Sequence, residues 1–198
     1  SLLPQGALLS IRGLNKRFGG LAAVSGVSFD IRPGEIISLI GPNGAGKTTI
    51  FNLISGIFRA DAGEIRLQGE NLVGLKPFEI CRRGVGRTFQ LMQSFPHMTV
   101  LENVMTSALF GRATPITMTE ARAMAQEFCE MTGIGEKRHA YPKSLTVADQ
   151  KRIEIARALA VKPQMLLLDE VMSGLTPAET NEAIKLVRAA RHLVRNVT

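Results

Sequence analysis

Apolar residues follow two rhythms along this chain. Toward the N-terminus they gather in short aliphatic and β-branched runs: Leu8-Leu9-Ser10-Ile11, Val27-Ser28-Phe29-Asp30-Ile31 and Glu35-Ile36-Ile37-Ser38-Leu39-Ile40. Such runs predict strands, with Pro33-Gly34 turning the chain between the last two. A glycine-rich turn follows, and then Ile50, Leu53, Ile54 and Ile57 recur at helical spacing, predicting a helix over 47–57. Residues 63–68 read as another strand.

From 99 to about 137 the rhythm is helical, carried by Leu101, Val104, Ala108, Ala121, Ala125 and Phe128 until Gly133 and Gly135 interrupt it. A second strong helix is predicted over 150–160, a buried strand over 165–168, and a last helix over 177–194 opened by Pro177. Strands and helices alternate at both ends with a helical block between them. That order predicts an α/β chain with a parallel core, an N-terminal antiparallel β region and an inserted α-helical subdomain. The expected divisions are 1–90 for the β region and core, 91–143 for the helical subdomain and 144–198 for the remainder.

Composition narrows the classes. The chain has 198 residues, 45% of them hydrophobic and 21% charged. A chain of this size can bury its own core and is not of the disordered or collagen type. No apolar run nears the roughly 18 residues of a membrane span. Cys81 and Cys129 fit no metal-binding spacing and read as reduced thiols. The formal charge is +7, but Lys and Arg are spread along the chain, so charge alone assigns no partner.

The chemistry begins at Gly41-Pro42-Asn43-Gly44-Ala45-Gly46-Lys47-Thr48, which fits G-x-x-x-x-G-K-[ST] at every fixed position. Glycines let the backbone wrap closely, so that successive N–H groups and the start of the next helix point at phosphate oxygens. Lys47 adds a point charge for the β- and γ-phosphates, and the Thr48 hydroxyl can ligate Mg²⁺. The motif lies between a predicted strand and a predicted helix, the setting it requires. A partner acid is supplied by Met165-Leu166-Leu167-Leu168-Asp169-Glu170. Asp169 suits Mg²⁺, and Glu170 suits a general base for the attacking water. More than half the chain length separates this acid from Lys47, a spacing unlike that of small GTPases.

Taken in order, these residues resemble the ATP-binding subunits of ABC transporters over nearly the whole chain. The resemblance implies an ABC-type P-loop ATPase that binds ATP and Mg²⁺. It implies that Phe18, in Lys16-Arg17-Phe18-Gly19-Gly20, stacks on adenine, and that the loop from Gly41 through Thr49 holds the phosphates. It also implies that Gln90, in Gly86-Arg87-Thr88-Phe89-Gln90, reaches Mg²⁺ and the attacking water. The segment Ser144-Leu145-Thr146-Val147-Ala148-Asp149-Gln150 stands where the family has LSGGQ, so Thr146 is implied to face the γ-phosphate of a nucleotide held by a second subunit. Ser173-Gly174-Leu175-Thr176 stands at a dimer-contact loop. Within the superfamily, Arg17-Phe18-Gly19-Gly20-Leu21, Arg87-Thr88-Phe89-Gln90 and Phe95-Pro96-His97-Met98-Thr99-Val100-Leu101-Glu102-Asn103-Val104 are similar to the branched-chain amino acid importer group.

The same resemblance implies an ATPase subunit at the cytoplasmic face of a membrane. It would pair with a second cassette and two integral-membrane permeases, serve a solute-binding protein indirectly, and bind no nucleic acid. The signature also carries a departure that keeps an alternative open, a regulatory cassette with little turnover. Val147 and Ala148 replace two glycines that let the backbone approach phosphate, and Asp149 replaces a glutamine, putting a negative charge beside an expected anion. The family also continues into a further strand and a histidine, and this sequence stops short of both.

Overall fold

The computed structural model describes residues 6–88, 94–169 and 174–195, which divide into two compact units, one reaching Ile80 and one starting at Cys81. The first unit is built on an antiparallel sheet. β1 (Leu9–Phe18) and β2 (Leu21–Ile31) form a hairpin through Gly19-Gly20, β3 (Ala62–Leu67) pairs with the other edge of β1, and β4 (Glu70–Asn71) completes the order β2-β1-β3-β4. Leu9 and Ile11 face inward by simple alternation. Leu14 breaks that parity yet is also fully buried, because the ladder slips a register between Ile11 and Leu14, where Gly13 adopts φ 54°. The predicted 63–68 strand is β3, and the two first predicted strands extend into longer elements.

α1 (Lys47–Ile54) buries Ile50, Leu53 and Ile54. It ends earlier than its apolar spacing predicts, because Gly56 turns left-handed at φ 74° and Ile57 donates back to the Asn52 carbonyl at 2.9 Å. Ile57 is left exposed. The short helix α2 (Pro77–Arg82) closes this part of the chain.

One predicted strand is absent. Residues 35–40 form no ladder, and Ile40 is 94% exposed with Ile36 and Ile37 also open. A continuous apolar run fits a strand buried on both faces of a parallel sheet. The first unit offers only an antiparallel sheet whose strands pair among themselves, so the run finds no place there.

In the second unit, β5 (Val85–Arg87) and β6 (Met165–Leu167) pair in parallel, with Val85 opposite Met165 and Arg87 opposite Leu167. Gly86 lets β5 approach closely: a Cβ there would lie 2.8 Å from the Ala158 carbonyl oxygen. Three helices share one apolar core: α3 (Val100–Phe110), α4 (Met118–Met131) and α5 (Val147–Ala160). Ala108, Ala121, Ala125, Ala156 and Ala160 are fully buried, and their small side chains let the helices come close. The stretch predicted as one helical pattern is two helices, because each carries its own capping box, Thr99 with Glu102 and Thr117 with Glu120. Two 3₁₀ turns, Gly135–Lys137 and Pro142–Ser144, lead into α5. α6 (Pro177–Arg195) is the last element, opened by Pro177 as its sequence predicts.

Candidate functional site

The glycine-rich loop of the first unit runs straight into α1. Gly44 and Gly46 both take φ 82°, a left-handed conformation that side chains resist. Gly46 is also buried, and a Cβ on it would run into the Ala23 carbonyl oxygen. Ala45 N–H donates to the Pro42 carbonyl at 3.2 Å, tightening the turn. Lys47 folds its ammonium back over the loop, donating to the carbonyls of Gly41 at 2.5 Å and Pro42 at 2.7 Å.

Gly46 has no side chain with which to cap α1, and no acid occupies the first turn. The leading N–H groups of the helix, the positive end of its dipole and the Lys47 ammonium therefore come together without an internal counter-charge from that turn. That donor set fits a phosphate group. Thr48 is exposed and Thr49 half-buried in the same turn. Phe18 ends β1 at 43% exposure, edge-on to Phe58 at 5.1 Å, with Lys16 Nζ 5.5 Å from its ring centre. It is thus an open aromatic surface rather than a core residue.

Asp169 belongs to the second unit, just past β6. Its backbone N–H donates to Thr88 Oγ1 at 3.1 Å, and Thr88 N–H donates to the Leu167 carbonyl at 3.0 Å, carrying the parallel ladder one step further. Its carboxylate meets Arg87 Nη2 at 3.3 Å, with both side chains buried. Burial pulls the Arg87 pKa below its ordinary value, and the Asp169 charge opposes that shift. Among the described residues no three His, Cys, Asp or Glu side chains cluster to hold a metal. Asp169 offers a single carboxylate, and Mg²⁺ is the kind of ion that needs few protein ligands, taking the rest from water and phosphate. Gln90, Glu170 and Ser173 lie outside the described residues.

The segment 144–150 differs from its sequence expectation. The helix begins at Val147 rather than near Gln150, because Thr146 caps it: Thr146 Oγ1 accepts from Asp149 N–H at 3.2 Å. Val147 is 55% exposed in the first turn. Asp149 does not stand out beside a ligand surface. It turns inward, is buried, and accepts from Lys137 Nζ at 2.6 Å, with Arg152 Nη1 at 3.6 Å. Burial pushes its carboxyl pKa up, but the hydrogen bonds from Lys137 and at Thr146, with the charges of Lys137 and Arg152, leave it below the usual carboxylate value.

Arg87, Thr88 and Lys137 are the neighbours that sequence reasoning does not single out. Arg87 and Thr88 are within reach of it, since they stand just before Gln90 in sequence; Arg87 ends β5 and Thr88 carries its ladder one step on. Lys137 has no local signal, because its partner comes only after a further 3₁₀ turn.

A left-handed glycine loop feeding an uncapped helix, with an acid closing a parallel strand, belongs to the phosphate-binding NTPases. Residues 24–173 match the ABC transporter family model, and the chain belongs to that family. It is 42% identical over 197 residues to the high-affinity branched-chain amino acid transport ATP-binding protein LivG of Escherichia coli K12, spanning 93% of this chain and 77% of that protein. The corresponding protein BraF of Pseudomonas aeruginosa is 38% identical over 196 residues, with the same shares covered. A solved dimeric post-hydrolysis state of an ATP-binding cassette bound to ADP and Pi superposes at TM-score 0.82 with 26% identity, covering 92% of this chain and 82% of that one. The fold is the ABC ATPase type that the sequence predicts.

Proposed function

We propose that this chain is the ATP-hydrolysing subunit of an importer for branched-chain amino acids. The observation that carries the reading is the start of α1, where Gly46, Lys47 and an uncapped, acid-free first turn form a phosphate cradle. The likeness to LivG and BraF supports the solute class. No helix among the described residues is long and apolar enough to cross a membrane. The chain works at the cytoplasmic face, driving two permease subunits, with a solute-binding protein on the far side.

In this reading Phe18 stacks on the adenine, and the backbone from Gly41 through Thr49 (Pro42, Asn43, Gly44, Ala45, Gly46, Lys47 and Thr48 between them) wraps the phosphates. Lys47 leaves the Gly41 and Pro42 carbonyls for the β- and γ-oxygens. Thr48, Gln90 and Asp169 are the residues that would hold Mg²⁺, which would supply charge neutralisation to the phosphates. Arg87 and Thr88 fix where the Asp169 carboxylate stands. Glu170 accepts the proton of the attacking water as its oxygen bonds to the γ-phosphorus and the bond to the ADP oxygen breaks. Thr146 contacts the γ-phosphate across the interface with a second cassette.

The test is Mg·ATP binding and turnover by this chain beside Lys47→Ala and Glu170→Gln. Turnover abolished by both, with ATP binding kept in Glu170→Gln, is the expected result. Binding lost in Lys47→Ala but no turnover in any version would instead make the chain a regulatory cassette. Leucine uptake by vesicles holding the chain and its permeases checks the solute class.

A further inference from the structure

The first turn of α5 is tied into the helical block by a chain of contacts. Asp149 is bound at both ends, its carboxylate to Lys137 at 2.6 Å and its N–H to Thr146 Oγ1. Lys137 ends the 3₁₀ turn Gly135–Lys137, and the residues just after it are held in turn. The Arg138 carbonyl accepts from Leu101 N–H at 2.9 Å and the Ala140 carbonyl from Val100 N–H at 2.9 Å, both at the start of α3. The start of α5 is thereby braced against the start of α3.

The brace has a chemical consequence. An acid in the first turn suits the helix dipole, but exposed there it would repel any anion presented to the same N-terminus. Here the Asp149 side chain is buried beneath the turn, with Lys137 and Arg152 around it. The N–H groups of Val147 and Ala148 have no acceptor within their own helix, and Val147 lies exposed, while the exposed Thr146 keeps its hydroxyl oxygen on the Asp149 N–H. We propose that Lys137 is a positioning residue: its bridge to Asp149 sets the first turn of α5 and neutralises the acid, so that the turn can meet the γ-phosphate held by a second cassette. This rests on the cassette reading of the chain. It also turns the Asp149 departure from a defect into half of a matched pair.

The pair is tested by a mutant cycle in the full chain carrying Glu170→Gln, so that ATP stays intact. Lys137→Met leaves the buried carboxylate poorly paired, and ATP-driven self-association, monitored by sedimentation, should weaken about tenfold. Asp149→Gln should lose less, since it strands only a half-exposed ammonium. The double variant should regain most of what Lys137→Met lost. In parallel, amide exchange at residues 147–150 of the nucleotide-free chain should speed up about tenfold in Lys137→Met and return in the double variant. Unchanged association and exchange in Lys137→Met, or a double variant as impaired as Lys137→Met, would overturn the proposal. If the parent does not associate on ATP at all, the cassette reading fails, and the exchange pattern decides the bridge by itself.

Discussion

Two helix N-termini in this molecule solve the same problem in opposite ways. α1 begins at a left-handed glycine, without a capping side chain and without an acid in its first turn. α5 begins at a threonine cap with Asp149 in its first turn, and that acid is answered by Lys137. The leading N–H groups of the first end have no side-chain acceptor from its own turn. The second satisfies itself and leaves just its outermost donors. On the proposed reading both starts meet phosphate: the one that wraps it with its own loop gives up capping energy, whereas the one that meets it across an interface keeps its cap.

Substitutions can break this contrast. The largest effect is expected at Gly46→Ala, where a Cβ meets the Ala23 carbonyl and φ 82° disfavours any side chain. Denaturant unfolding should show a loss of about 3 kcal/mol, together with loss of ATP binding.

Second comes the other buried acid of α5. Glu154 is 7% exposed, its Oε2 has no hydrogen-bond partner among the described residues, and burial raises its pKa to about 7 despite the charges of Lys151 and Arg157. The unfolded chain ionises this group freely near its ordinary 4.5, while the folded chain resists until about 7. Its favourable contribution is therefore complete below about 4.5 and is lost as pH rises through about 7. Glu154→Gln should leave stability at pH 4.5 unchanged and raise it at pH 8 by about 2 kcal/mol. Unfolding midpoints at the two pH values check this. Asp149, held below its ordinary value, contributes with the opposite sign.

The smallest effect is expected at Thr146→Ala. Removing the cap should cost about 1 kcal/mol in thermal or denaturant unfolding. It should also speed amide exchange in the first turn of α5 while leaving α1 untouched. Equal exchange changes at both helix starts would remove the distinction drawn between them.

The same contrast explains what could be read from sequence. The loop around Gly44, Gly46 and Lys47 is legible because its chemistry is contiguous: turn, charge and helix start are neighbours in the chain. The capping threonines at 99 and 117 are equally local, each with a glutamate three residues on, yet one long apolar rhythm conceals the break between their helices. Asp149 misleads because its partner is set by tertiary packing. Read alone it is a charge at a phosphate site; in the fold it is an internal anchor. The run from 35 to 40 misleads differently, since β propensity describes what a segment can pair with and supplies no partner. Gln90 and Glu170, the remaining halves of the proposed chemistry, rest on the sequence pattern and its family likeness.

The parallel pair of β5 and β6 also sets an order of events in time. Val85 meets Met165 only after the chain has gone out through α3, α4 and α5 and come back. Closing so long a loop from a random coil carries a large entropic cost before the first hydrogen bond forms. Local contacts within the three helices can form first and shorten that excursion, so the ladder that carries Asp169 should be assembled late in folding. A cell making this chain would then complete the acid end of its site only after the helical block has condensed.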